Sequence, residues 1–344
     1  MAVADPIQNI EQLEDRLSEP TPEVVEAFRR LEGDVVLLGV AGKMGPSLAR
    51  MARRAADLAG SRRRIIGVAR FSSASLEAEL QRHGVETIRC DLLDEEAVQR
   101  LPDAPNVLYL PGMKFGATGQ ESLTWAMNTH LPAIVSRKYA RSRIVAFSTG
   151  NVYGLVPSTC AGSLETDRLA PVGEYAMSCL GRERMFEHFS RTRNTRIVLV
   201  RLNYACDLRY GVLVDLARKV LAGEPVDLAM GWFNTLWQGD ANAMTWCCFA
   251  HATCPPLAVN LTGPERLSVR ETCEKLGKLM GRQPVFAGTE APTALLSDAR
   301  RTFGLFGQPR VNSDQLVAWV AAWLKQGGQT LDKPTHFEAR DGRF

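Results

Sequence analysis

Three glycines at equal spacing, Gly39, Gly42 and Gly45, follow the apolar run Val35-Val36-Leu37-Leu38 and precede a segment of helical periodicity, Ser47 to Gly60. A buried strand, a glycine turn and a helix N-terminus together make a phosphate cradle. The missing Cβ atoms let backbone approach a pyrophosphate, and the helix dipole favours its charge. This context points to dinucleotide binding, with Lys43 and Met44 inside the turn as part of the cofactor floor. The next strand ends Val68-Ala69-Arg70-Phe71-Ser72-Ser73, without an acidic residue to hold two ribose hydroxyls. An arginine followed by hydroxyls suits a 2′-phosphate, because guanidinium and phosphate pair strongly. The reading therefore favours NADP over NAD, with Arg70 and Ser72 as its contacts.

Alternating elements position these residues. Strands are expected at 64–70, 85–90, 106–112, 143–149 and 196–202, separated by helices near 46–59, 74–82, 119–138 and 174–190 and by the short helix DEEAVQRL. Strands with little polar alternation, joined through helices, imply a parallel sheet covered on both faces. The fold class is α/β: a doubly wound parallel-sheet Rossmann fold with a smaller C-terminal α/β substrate lobe. The expected domains are an N-terminal helical arm (1–33), the NAD(P)-binding domain (34–202), a substrate lobe partly interleaved with it (203–330) and a polar tail (331–344).

The composition excludes several function classes. A net charge of +3 over 344 residues is too small to argue for nucleic acid or an anionic membrane. No stretch approaches a transmembrane span, and the acidic N-terminus lacks the apolar core of a signal peptide. Eight cysteines without a CxxC pair and five histidines without HxxxH argue against a metal site. Free thiols suit a reducing cytoplasm.

Further motifs follow in order: Cys90-Asp91-Leu92 after the third strand, LPGMKFG at 110–116, Asn128 in the long helix, FSTGNVYG at 147–154 and Tyr175 at the start of the next helix. With the glycine turn, these resemble the extended short-chain dehydrogenase/reductase family, which includes the nucleotide-sugar epimerases and dehydratases. The resemblance spans residues 34–325. It implies that Asp91 and Leu92 contact adenine, and that Lys114 reaches the cofactor beside Pro111 and Gly112. It further implies that Asn128 steadies the active site, Thr149 holds the reacting oxygen, and Tyr175 exchanges its proton. Asn151 and Asn203 fall on the substrate side, and Trp237 could stack on a sugar face. A homodimer joined through the helices of Asn128 and Tyr175 is also implied, with Leu123, Met127, Leu131, Ile134, Leu180 and Phe186 as candidate contacts.

Two departures qualify this resemblance. The family's YxxxK reads Tyr175-Ala176-Met177-Ser178-Cys179, so a thiol stands one helical turn from the tyrosine where an ammonium belongs. Without that charge a tyrosine of pKa about 10 is roughly one part in a thousand phenolate at pH 7, a weak base but an intact acid. Arg182 and Lys114 are candidate replacement cations. Asn234 stands where nucleotide-sugar members carry the arginine that pairs with the diphosphate. The expected function is NAD(P)-dependent oxidoreductase or epimerase chemistry on a small hydroxylated, sugar-derived substrate, with Thr149, Tyr175 and Cys179 at its centre. The alternatives are a nucleotide-sugar epimerase or dehydratase, and a non-catalytic NAD(P)-binding sensor or assembly factor.

Overall fold

The apolar runs pair side by side into one parallel sheet of seven strands. They are β1 (Val35–Leu38), β2 (Ile65–Ala69), β3 (Glu86–Arg89), β4 (Asn106–Tyr109), β5 (Arg143–Thr149), β6 (Arg196–Leu202) and β7 (Leu257–Leu261), in the spatial order β3-β2-β1-β4-β5-β6-β7. The computed structural model describes residues 6–114 and 118–343; Phe115 and Gly116 of the LPGMKFG motif lie outside them. The pleat sends Val35, Leu37, Leu108, Val145 and Val198 to one face and Val36, Leu38, Val107, Ile144 and Ile197 to the other. With helices on both faces the strands need no polar alternation. This is the doubly wound Rossmann-like arrangement. The order reverses between β1 and β4, and the crevice at the strands' carboxyl ends opens there.

Helices α1 (Ile10–Leu17), α2 (Pro22–Arg30), α3 (Gly45–Leu58), α4 (Ala74–Arg82) and α5 (Glu95–Gln99) precede β4. Then come α6 (Glu121–Trp125), α7 (Leu131–Lys138), α8 (Gly173–Arg193), α9 (Val212–Ala222), α10 (Gln238–Cys247), α11 (Val269–Met280), α12 (Arg300–Phe306) and α13 (Ser313–Lys325). In α2, Thr21 caps the first turn by accepting from the Val24 N–H at 3.3 Å, and Pro22 fills a position that needs no donor. Its Phe28 ring meets Trp246 of α10 edge-on at 5.3 Å, so the N-terminal arm belongs to the packed layer over the sheet.

A second core gathers α9, α11 and α13 with Leu13 and Leu17 of α1. The chain does not enter this lobe once and stay, because α10 and β7 return to the sheet. The sequence did not reveal β7: Asn260 interrupts its apolar run, and its side chain serves buried carbonyls of Ser163 and Asp298. The segment 331–343, expected as a polar tail, is docked on the body, with Thr335 and Phe337 buried.

The single helix expected at 119–138 is broken into α6, a π-helical turn (Ala126–His130) and α7. Pro132 has no N–H to return to the carbonyl four residues back, that of Asn128. The wider turn accommodates this defect beside the site, as such turns commonly do.

Beneath the sheet's carboxyl edge lies a buried ion pair, Arg201–Glu183 at 2.8 Å. Glu183 Oε1 also accepts from Ser148 Oγ at 2.5 Å. Arg201 donates to the Tyr153 hydroxyl at 2.7 Å, which in turn donates to Asn260 Oδ1 at 2.7 Å. The network ties β5, α8, β6 and β7 together. Removing one partner leaves a buried charge uncompensated, so Glu183→Ala should cost about 3–5 kcal/mol in urea unfolding, whereas exposed Glu96→Ala should change stability by less than about 0.5 kcal/mol.

Candidate active site

The glycine turn has the geometry a phosphate cradle requires. Gly39 holds φ at +77°, and a Cβ on Gly45 would stand 2.1 Å from the Val40 carbonyl oxygen, inside any real contact. The turn closes through the Gly42 N–H to Gly39 O (3.0 Å) and the Gly45 N–H to Gly42 O (3.1 Å). Met44, the N-cap of helix α3, brings no side-chain acceptor, which leaves the positive end of the helix dipole for an anion. These residues fit a dinucleotide pyrophosphate. Lys43 turns across the crevice, donating to Ala205 O at 3.3 Å with its ammonium 4.4 Å from the centre of the Tyr210 ring. Burial lowers its pKa.

Farther along the crevice, Phe71 is buried at a left-handed φ of 48°, leaving Arg70 and Ser72 exposed on either side of it. Asp91 accepts from the Leu93 N–H at 3.1 Å, as a turn residue does, while Leu92 is buried.

At the end of β5, Thr149 Oγ1 accepts from Asn151 N (3.2 Å) and Asn151 Nδ2 (3.0 Å). The Tyr175 hydroxyl, on the first turn of α8, is hydrogen-bonded to the Thr149 hydroxyl and to the Cys179 thiol one turn on. Cys179 is fully buried against Val152 and Tyr153. Burial pushes both the Tyr175 phenol and the Cys179 thiol above their ordinary values, so both are neutral near pH 7. The row Thr149–Tyr175–Cys179 thus holds a protonated tyrosine.

Asn128 is saturated. Its Oδ1 accepts from Met113 N (2.9 Å) and Arg182 Nη2 (2.7 Å), and its Nδ2 donates to Met113 O (3.0 Å) and Ser178 Oγ (2.9 Å). Arg182 also donates to Phe147 O at 2.8 Å, and a Cβ on Gly112 would lie 2.6 Å from its Nη2. Gly112 is therefore glycine because a buried guanidinium passes over it. On the other side of this loop, Pro111 packs against Gly39. Lys114 reaches into the site, with its Nζ 6.0 Å from the centre of the Tyr175 ring, and donates to Thr335 O at 2.9 Å.

A cavity of about 130 Å³ joins Lys43, Met44, Lys114, Thr149, Tyr175 and Asn203, with Asn151 at its wall. Asn203 Nδ2 is buried there with no partner among the described residues. Trp237 is not part of the site: its ring is buried in the lobe core, 5.4 Å from that of Trp319. Asn234 is committed to backbone, donating to Glu265 O at 3.1 Å and accepting from the Ser297 N–H at 2.9 Å. Six lining residues escaped the sequence reading: Leu202, Tyr204, Ala205, Tyr210, Gly211 and Thr335. Tyr204 and Tyr210 sit on the irregular segment after β6, where no periodicity marks a face, and Thr335 lies in an apparently featureless tail.

Residues 35–229 match the family described as NAD dependent epimerase/dehydratase. The chain belongs to that family. No curated protein matches the sequence. Among solved structures, the UDP-glucose 4-epimerase of Thermotoga maritima is similar at a TM-score of 0.69 and 16% identity, covering 86% of this chain and 99% of its own. The dTDP-glucose 4,6-dehydratase of Bacillus anthracis, solved with NAD, gives 0.71 and 15% over 86% and 97%. The UDP-glucuronic acid 4-epimerase of Bacillus cereus, in a form complexed with a fluorinated UDP-sugar and NAD, gives 0.68 and 15% over 85% and 99%. At such identities these likenesses establish the fold. Among the described residues no helix is long and apolar enough to cross a membrane.

For an epimerase/dehydratase family member, Lys114 is the cation most exposed to test. Burial pushes its ammonium down to about 8. As a base whose charged form exists below that value, it should lose its attraction for a cofactor phosphate as pH rises through about 8. The NADPH association constant should fall roughly 10–100-fold across that range, the worth of a charged hydrogen bond. Lys114→Arg should abolish the fall, as titration calorimetry between pH 6.5 and 9.5 would read.

Proposed function

We propose that the chain is an NAD(P)-dependent oxidoreductase of the epimerase/dehydratase type, acting on a small hydroxylated, sugar-derived substrate and favouring carbonyl reduction. The observation that carries this reading is the Tyr175 hydroxyl, hydrogen-bonded to Thr149 and Cys179, at the wall of a cavity that Lys43 and Met44 of the glycine turn also line. The nicotinamide cofactor supplies the hydride when bound, and the rest falls to the chain's own groups. Thr149 Oγ1 fixes the reacting oxygen, and Tyr175 gives that oxygen its proton, as a general acid whose phenol stays protonated through neutral pH. Asn203 Nδ2, otherwise unpaired, offers a donor to a substrate hydroxyl or carbonyl. Lys114 and the α3 N-terminus would supply positive charge to the cofactor when it is bound.

Arg70 and Ser72, with no acid beside them, favour NADP over NAD. The similar solved structures carry UDP-glucose or a UDP-glucuronic acid analogue, and a nucleotide sugar is the alternative substrate. The engaged side chain of Asn234 supports the smaller one, since that position offers a diphosphate no cation. Free cysteines throughout suit a reducing cytoplasm. A homodimer would bury the exposed Leu123, Trp125 and Met177. Leu131, Ile134 and Phe186 are already committed to the sheet face and take no part in it.

One observation favours a second reading, a dinucleotide-binding sensor without turnover: Cys179 offers no charge to the tyrosine. A cofactor-coupled screen over sugars, sugar acids and nucleotide sugars separates the two. Under the leading reading Tyr175→Phe lowers reduction of an identified carbonyl substrate by roughly 10²–10⁴-fold and leaves NADPH affinity within a few-fold. A blank screen with dinucleotide bound would favour the sensor. NADPH should bind more tightly than NADH, and Arg70→Ala should erase the difference; equal affinities in the unaltered chain would remove the argument for NADP.

A further inference from the structure

The segment Leu331 to Arg343 crosses the mouth of the site on a defined path. The Leu331 N–H donates to Arg209 O at 3.0 Å. Thr335 donates to Asp215 Oδ2 through both its N–H (2.8 Å) and its hydroxyl (2.6 Å). Phe337 is buried beside Phe233, with ring centres 6.2 Å apart. Arg340 donates to Thr293 O at 2.8 Å and Thr293 Oγ1 at 2.6 Å. At its far end the segment meets the start of α8: a Cβ on Gly342 would stand 2.2 Å from Val172 O, and one on Gly173 2.4 Å from Gly342 O. The path therefore runs from the lobe to a point two residues before Tyr175. Two non-glycine residues in the left-handed region, Asp332 at φ +49° and His336 at +52°, bracket Thr335 and turn it inward.

Thr335 thereby roofs the cavity, and its carbonyl is the acceptor for Lys114. The roofed space of about 130 Å³ compares with about 30 Å³ for one water and roughly 300–1,000 Å³ for pockets that bury a drug-sized ligand. A nicotinamide riboside and a substrate cannot share it. The glycine turn, the end of β5, α8 and the segment after β6 supply the rest of the lining, and within residues 331–343 Thr335 alone reaches it.

We propose that residues 331–343 are an autoinhibitory strap, whose Thr335 carbonyl takes the place on Lys114 that an oxygen of the dinucleotide would take. Strap docking and NAD(P) binding then exclude each other. This rests on the reading of the site as one for NAD(P). A strap docked nine-tenths of the time weakens apparent affinity about tenfold, because only the open fraction is competent.

The test compares the full chain with a chain ending at Thr330 and with the full-length Gly342→Val variant. Gly342→Val prevents docking on Val172 without touching the cavity, and it guards against loss of folding in the truncated chain. NADPH and NADH are titrated by calorimetry, and the mass-spectrometric hydrogen exchange of 331–343 is followed with and without NADPH. Both altered chains should bind dinucleotide at least about tenfold more tightly, and NADPH should speed exchange across the strap of the full chain. Equal or weaker binding by folded altered chains, or slower strap exchange with NADPH, overturns the strap and leaves the dinucleotide reading standing. Binding of neither dinucleotide by any of the three chains overturns both.

Discussion

A buried amide holds the site together. Asn128 uses all four of its hydrogen-bonding positions, on Met113 backbone, Arg182 and Ser178, and so joins the loop after β4 to the helix that carries the tyrosine. An amide in that place with any position unmet would be costly, since burial removes water as an alternative partner. The fold reaches this arrangement through a local defect. Pro132 cannot close the ordinary helical bond to Asn128, and the π-helical turn follows at the residue whose side chain must span two elements. Gly112 and the Arg182 guanidinium above it complete the joint.

Charge distribution separates this site from the pattern it otherwise follows. A tyrosine one turn from an ammonium can shed its proton; one beside a buried thiol keeps it. The remaining cations stand elsewhere, Arg182 below the row and Lys114 above it, and both are engaged by backbone carbonyls. Of the two, Lys114 lines the cavity, while Arg182 is buried behind it. Under the proposed function such a site gives a proton more readily than it takes one.

Much of the fold was legible because it rests on patterns that local chemistry dictates. Four-residue apolar runs marked β1 and β5, glycine spacing marked the turn, and Thr21-Pro22 marked the start of α2. The break in the long helix was not read, although Pro132 was visible, because a proline near a helix middle does not say which neighbour adapts. Strand β7 was hidden by Asn260, whose polarity serves partners far along the chain. Within the site, Thr149, Tyr175, Lys114 and Asn203 line one cavity, and Cys179 is buried beside Val152 and Tyr153. Trp237 does not, since its spacing from Trp319 in three dimensions is a matter of lobe packing that no local pattern encodes. Thr335 was invisible for the opposite reason: its role comes from where a polar segment docks.

Arg182 has one more consequence, for how such a site can change over generations. Cys179 lies a single helical turn before it, sealed by Val152 and Tyr153. An ammonium introduced at position 179 would enter a buried space already holding the guanidinium, with Lys114 nearby. Two like charges there oppose each other strongly. Exchange of the thiol for a lysine is therefore opposed by the arginine, and a change at position 182 would relieve that opposition.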